Sequence, residues 1–288
     1  MKKLFAIVLS CLLIAGMFAG CGNTAAEETT AAAETTAAAA ETTAAAAETT
    51  GAAETEATEA AAAEFTTIEE GKLIMSTNAA FPPFEMVADD GSFEGFDVEV
   101  ADAIAKKLGL ELEVDDMEFD AALLAVQENK SDIVMAGVSV TEDRLMVMNF
   151  TDYYFSSTQK VIVKEGSDVT MDNLGEKMIG VQRATTGHIY VSDTYGESQV
   201  TPYDNGASAV QALMNGQVDC VVIDANPAQE FVNSNPGLVL LDGDLAEDNY
   251  AIGVNKENTA LLDAINQALK DLNEDGTIPA IYDKYFGE

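Results

Sequence analysis

From about residue 67 onward the chain switches between two hydrophobic periods, and each switch marks an element. Residues 72–76 read as the first strand, with the apolar Leu73, Ile74 and Met75 between polar positions. The loop that follows holds Pro82 and Pro83, which exclude helix, and Asp89-Asp90-Gly91 has hairpin-turn chemistry. Gly95-Phe96-Asp97 leads into a helix with Asp97 as expected N-cap. Val98, Ala101, Ile104, Ala105 and Leu108 keep its period and Gly109 stops it. Residues 110–114 read as a strand, 121–128 as a helix and 133–136 as a buried strand. Strands are also expected at 161–163, 178–181, 218–224 and 250–254. Helices are expected after residue 187, at 207–214, after Asn226, at 259–273 and over the last residues. This alternation predicts an α/β fold of βαβ units with a largely parallel sheet. About 220 residues suffice for one large or two small domains.

Candidate chemistry concentrates on 132–144. Gly137 ends the strand without a side chain, so a ligand or another backbone can come close. Ser139 and Thr141 bring hydroxyls, residues 141–143 read as a first helical turn, and Arg144 follows. Ligands of open α/β sheets sit beyond the carboxyl ends of strands, and a guanidinium there suits a carboxylate through two parallel hydrogen bonds. Taken alone, Arg144 reads equally well as a surface arginine. Phe81 and Phe119 stand next to loops where an aromatic side chain could wall a ligand; Phe84 reads as core. Asp224 ends an apolar strand, where an acid is costly without a partner; an N-cap for the next helix is the alternative. His188 is the only histidine and lacks neighbours of metal-ligand type, so no metal site is expected. Asp242, Asp244 and Asp248 lack the glycine and glutamate of a calcium loop and read as a solvated acidic loop.

The net charge is −36, from 14 basic and 50 acidic residues of 288, which argues against nucleic acid and against adsorption to anionic lipid. Lys2, Lys3 and the apolar residues 4–18 have signal-peptide form, so residues 1–20 are expected to be removed. Ala19-Gly20-Cys21 resembles the lipobox of bacterial lipoproteins, with Phe18 where leucine is usual. The resemblance implies that Cys21 carries diacyl lipid, a two-chain anchor that holds stably. Residues 21–66 are nearly all Ala, Thr and Glu, with Glu28, Glu34, Glu41 and Glu48 each followed by two threonines. The repeat has no large a/d residues and cannot offset its ordering entropy, so a disordered tether is expected, spanning roughly 35–40 Å as a coil. Cys11 leaves with the signal, and Cys220 reads as a buried thiol with no disulfide partner.

Four motifs are collinear with a known family. They are the loop 76–85 with its Phe81-Pro82-Pro83-Phe84-Glu85, Gly95-Phe96-Asp97, residues 135–144, and Phe150-Thr151-Asp152-Tyr153-Tyr154. Together they resemble the bacterial solute-binding proteins of family 3, the polar amino acid-binding proteins of ABC importers, from about Lys72 to the C-terminus. The resemblance implies a two-lobed periplasmic-binding-protein fold of type II, with the ligand in the inter-lobe cleft and two hinge crossings. Lobe 1 would comprise 67–157 and 250–288, and lobe 2 158–249, with crossings near 155–160 and 248–251.

It also implies a site. Arg144, with N–H groups at Ser139 and Thr186, would take the ligand carboxylate. Asp224, the Ser139 hydroxyl and the Gly137 carbonyl would take the ammonium. Phe81 and Phe119 would flank the side chain, with Asn78, Ala136 and Gln182 completing the wall. Many relatives carry an acid where this chain has Asn78 and glycine where it has Ala184. Ile223 replaces a histidine of the glutamine-binding branch. The Asn78 amide weakens the case for a cation and Ala136-Gly137 resembles that branch, so a neutral polar amino acid is favoured despite Ile223. The implied partners are that free amino acid, an ABC permease with its ATPase, and the membrane through the lipid anchor only; no cofactor is implied, and a monomer is expected. Two other readings are a secreted cyclohexadienyl (prephenate-type) dehydratase on the same fold and an amino acid sensor. The first needs a spare general acid, and the motifs offer no titratable group beyond the clamp. The second would need a signalling domain, and none precedes Glu288.

Overall fold

The computed structural model of the protein describes residues 65–287; the expected signal peptide, the lipidated Cys21 and the tether up to residue 64 lie outside the described residues. Two mixed sheets, each covered by helices, form two lobes.

The chain begins with β1 (Lys72–Thr77), followed by a small hairpin sheet of β2 (Ala80–Phe81), β3 (Glu85–Val87) and β4 (Phe93–Glu94). Helix α1 (Phe96–Lys107) buries Phe96, Val100, Ala101, Ile104 and Ala105, the face that its period marks out. Then come β5 (Glu111–Asp116), α2 (Phe119–Gln127), β6 (Ile133–Val134), the short α3 (Glu142–Val147) and β7 (Met148–Phe150). The chain crosses on β8 (Phe155–Lys164). The second sheet continues with β9 (Ile179–Gln182), α4 (Thr186–Tyr195), β10 (Val200–Tyr203), α5 (Gly206–Met214), β11 (Cys220–Asp224), α6 (Ala225–Ser234) and β12 (Leu238–Leu240). It returns on β13 (Glu247–Tyr250) to β14 (Gly253–Asn255), α7 (Thr259–Glu274) and α8 (Thr277–Phe286).

The first sheet has the order β5-β1-β6-β14-β7 and the second β10-β9-β11-β8-β12, with β13 also paired to β8. Only part of each is parallel. β5, β1 and β6 run together, as do β10, β9 and β11, whereas β14 and β8 pair antiparallel with their neighbours. The departure from a largely parallel sheet follows from the crossings, because a strand that leaves or re-enters a lobe runs against the βαβ units it joins. Gly253 pairs with Phe150 at one end and Glu247 with Thr158 at the other, so the paired segments 150–158 and 247–253 connect the two sheets.

An aromatic cluster sits at this junction. Phe84 is fully buried, as its sequence context suggests, and its ring lies 4.9 Å from Phe155, 5.3 Å from Tyr250 and 5.3 Å from Phe286, centroid to centroid. Such ring pairs contribute about 0.5–1.5 kcal/mol each beyond area burial. The C-terminal helix thus packs its last aromatic side chain into the pivot.

Four local expectations need correction. Asp97 is not the N-cap of α1. Gly95 is, and Asp97 is fully buried with Oδ2 accepting from the Gly137 N–H and the Tyr154 hydroxyl. Gly95 has φ 130°, and a Cβ there would lie 2.2 Å from the Phe84 carbonyl oxygen, so this entry needs glycine. Phe119 opens α2 instead of preceding it, and β6 ends at Val134 because the chain turns into the 135–144 loop. Asp248 is buried on β13 and accepts from Gln159 Nε2 at 2.8 Å, so it does not belong to a solvated loop. Asp244 does face solvent, paired with Lys160.

Candidate functional site

Four strand ends converge on one narrow cleft. Asn78 follows β1, Ala136 and Gly137 follow β6, Gln182 ends β9 and Asp224 ends β11. Both lobes thus present the carboxyl ends of their strands, where α/β folds hold ligands. The cleft is lined by Asn78, Phe81, Phe119, Ala136, Gly137, Ser139, Arg144, Gln182, Thr186 and Asp224, the ten residues singled out from the sequence, and also by Glu85 and Thr185.

Arg144 is 7% exposed and held by its own loop. Thr141 caps α3 by accepting the Arg144 N–H, and the guanidinium donates to the Ser139 carbonyl at 2.7 Å and, across the cleft, to the Ala184 carbonyl at 3.0 Å. Its carbon lies 5.3 Å from the Phe119 ring centroid, a cation–π contact that keeps the charge against an apolar wall. Burial pulls the guanidinium down to about 10, against the opposing pull of the Asp248 and Asp224 carboxylates. It stays a cation at neutral pH.

Asp224 occupies the N-cap position of α6 but makes no side-chain cap bond. Its Oδ1 accepts from the Tyr250 phenol instead. Burial, and then the Asp248 carboxylate, push its acid up to about 7. A carboxylate so placed gains from a cation brought by a ligand, because low-dielectric surroundings strengthen the pairing.

Two more devices shape the cleft. Gly137 has φ 55°, and a Cβ there would approach Phe81 Cε1 to 2.8 Å, so the glycine lets the aromatic wall close on the backbone. Across the cleft, Thr185 caps α4 by accepting the His188 N–H, so the helix starts at the cavity, where free N–H groups suit an anion. His188 returns a bond, its Nδ1 accepting from the Ala184 N–H at 3.2 Å. Among the described residues no group of three or more His, Cys, Asp or Glu side chains is arranged to hold a metal. The lobes also touch through Gln182 Nε2 and Asn78 Oδ1 at 3.0 Å.

Glu85 was not among the residues singled out. It is fully buried, lines the cavity, and neither of its carboxyl oxygens has a hydrogen-bond partner. Burial first, then the Asp97 carboxylate, raise it well above the ordinary carboxyl range. It is a titratable group beyond the clamp, contrary to the sequence reading. The signal was there: an acid directly after Phe84 in an apolar strand poses the same question as Asp224, and only the partner differs. Cys220 is buried and free, with burial pushing its thiol up to about 12. No helix of the described residues is long and apolar enough to cross a membrane.

Residues 73–288 match the model of the bacterial extracellular solute-binding proteins, family 3. A probable histidine-binding protein of Neisseria gonorrhoeae is 34% identical over 222 residues, covering 74% of this chain and 82% of that one. Among solved structures, an ancestral arginine-binding protein bound to glutamine is 39% identical with a TM-score of 0.73, covering 76% of this chain and all of its own. The arginine-, lysine-, histidine-binding protein ArtJ of Geobacillus stearothermophilus is 33% identical with a TM-score of 0.72, covering 75% and 96%. Two lobes, two connecting segments and a cleft at four strand ends agree with these likenesses, and the match spans the whole described fold: the chain belongs to the bacterial extracellular solute-binding proteins, family 3.

Proposed function

We propose that this protein captures a free polar amino acid outside the cytoplasmic membrane and passes it to an ABC permease. The observation that carries the reading is one cleft with a buried guanidinium on the first lobe, Arg144, and a buried carboxylate on the second, Asp224. A zwitterion satisfies both, with its carboxylate on Arg144 and the α4 N-terminus and its ammonium on Asp224. The two groups belong to different lobes, so the ligand favours the closed arrangement by its differential affinity for it. The diacyl anchor at Cys21 and the spacer after it would keep the domain at the membrane, where the permease lies; the domain works there as a monomer.

Side-chain preference shifts from the sequence reading. Asn78 and the Ala136-Gly137 pair argued for a neutral polar ligand. Glu85 adds a second acid to the cleft, and relatives of this chain bind arginine, histidine or lysine as well as glutamine. The reading supported best is therefore a polar side chain with a hydrogen-bond donor at its end, arginine foremost. Thermal unfolding against a set of amino acids tests it. Arginine at ~100 times its dissociation constant should add about 2.7 kcal/mol of stability. Agmatine, which lacks the carboxylate, and Nα-acetylarginine, which lacks the ammonium, should add almost none. Equal stabilisation by agmatine and arginine would refute the two-ended clamp.

One observation favours a second reading. Glu85 is a buried carboxylic acid facing the cavity, the placed proton donor that a cyclohexadienyl dehydratase needs. Conversion of prephenate to phenylpyruvate, with loss of water and carbon dioxide, monitored by absorbance, separates the two; the binding reading expects no turnover.

A further inference from the structure

Behind the cavity wall two carboxyl groups outside the zwitterion clamp face each other. Glu85 on β3 has no partner for either oxygen, and Asp97 on α1 has two for Oδ2 but none for Oδ1. Both side chains are wholly buried, and the two residues are neighbours across the α1 entry, where the Asp97 N–H donates at 2.9 Å to the carbonyl of Phe84, the residue before Glu85. Two ionised carboxylates only accept, so these oxygens can pair only with a proton between them. The groups around Glu85 favour that proton. Asp224 and Asp116 repel a charge on it. The Tyr154 and Tyr250 hydroxyls are committed to Asp97 and Asp224. Arg144, the one cation among the described residues lining the cleft, directs its bonds to the Ser139 and Ala184 carbonyls. Glu85 reaches the cavity; Asp97 does not.

We propose that Glu85 and Asp97 share one proton and that a cationic ligand side chain displaces it, so the cleft exchanges a proton for a guanidinium or an ammonium. This rests on the amino acid-capture reading above. On binding, the O–H bond of the Glu85 acid breaks, the electron pair stays on the carboxylate, and the proton leaves to solvent. A neutral amide side chain instead hydrogen-bonds to the protonated acid and displaces nothing. The same site then accepts either ligand class, and pH sets the balance between them. Burial supports the picture: Asp97 is pushed up to about 7 and Glu85 well above its ordinary value.

Calorimetry on the full chain, with L-arginine and L-glutamine as probes in buffers of different protonation heat, tests the exchange. Both probes carry the same ammonium, so any proton leaving Asp224 is common to both. Near neutral pH arginine should release about one proton more than glutamine. Its affinity should also rise more steeply with pH, by up to about tenfold per pH unit while the acid pair holds its proton. In Glu85→Gln that extra proton should disappear, and its persistence would place the exchange elsewhere and overturn the proposal. Equal proton release in the unsubstituted chain overturns the proposal without any variant and leaves amino acid capture standing. So does binding of glutamine with refusal of arginine. Binding of neither probe would sink the capture reading itself.

Discussion

Asp224→Asn should stabilise the ligand-free protein while abolishing its response to amino acids. The wild-type acid is 6% exposed, accepts one hydrogen bond from Tyr250, and shares its surroundings with the Asp248 carboxylate. Raising a carboxyl from 3.8 to about 7 corresponds to about 4 kcal/mol, at about 1.36 kcal/mol per pH unit. The folded-state value is the raised one. Its contribution to stability is therefore fully present below about pH 4 and lost as pH rises through about 7. Asparagine keeps an acceptor for the Tyr250 hydroxyl and carries no charge, so it does not lose that contribution. Urea unfolding of both proteins at about pH 4.5 and about pH 8 should give a difference, variant minus wild type, that grows by about 3–4 kcal/mol over the interval. Asp97 titrates in both proteins; so does Glu85, relieved in the variant of the repulsion from Asp224, a change that belongs to the same unmatched charge. A difference independent of pH, or a variant less stable than wild type at the higher pH, would refute the assignment of Asp224 as an unmatched buried charge.

Two further substitutions probe neighbouring parts of the site. Arg144→Lys keeps the charge but loses the planar fork that reaches Ser139, Ala184 and a ligand carboxylate together, so calorimetry should show binding weakened by about 2–4 kcal/mol; an unchanged affinity would move the carboxylate site elsewhere. Ala184 has φ 64°, a left-handed conformation that costs an L-residue about 1–2 kcal/mol, so Ala184→Gly should raise unfolding stability by about 0.5–1 kcal/mol net of the extra freedom of glycine in the unfolded chain, and a loss of stability would contradict the strain.

Much of this molecule was legible because the governing patterns are local. The α1 face, the strand at 72–76 and the long face of α7 follow from period alone, and Leu261, Ile265, Ala268, Leu269 and Leu272 are buried as their spacing requires. Asp224 stood out because an acid at the end of Cys220-Val221-Val222-Ile223 has no local reason to be there. What escaped is non-local. Asp97 sits where a helix-starting aspartate normally caps, yet its partners are Gly137 and Tyr154, 40 and 57 residues away. Asp248 shares a run with solvated acids but pairs with Gln159, 89 residues away across the connecting strands. Glu85 looked like the tail of a motif, because nothing in the linear order says that Asp97 will lie beside it. In each case local code named a plausible role and tertiary packing assigned another.

The phenol of Tyr250 has one more consequence. The chain contains no tryptophan, so its near-ultraviolet emission comes from eight tyrosines. A tyrosine donating to a carboxylate emits weakly, and Tyr250 donates to Asp224. A ligand ammonium arriving at that carboxylate competes for the same oxygen and loosens the phenol's bond. Occupancy of the cleft is thus written into the protein's own fluorescence, with no dye attached.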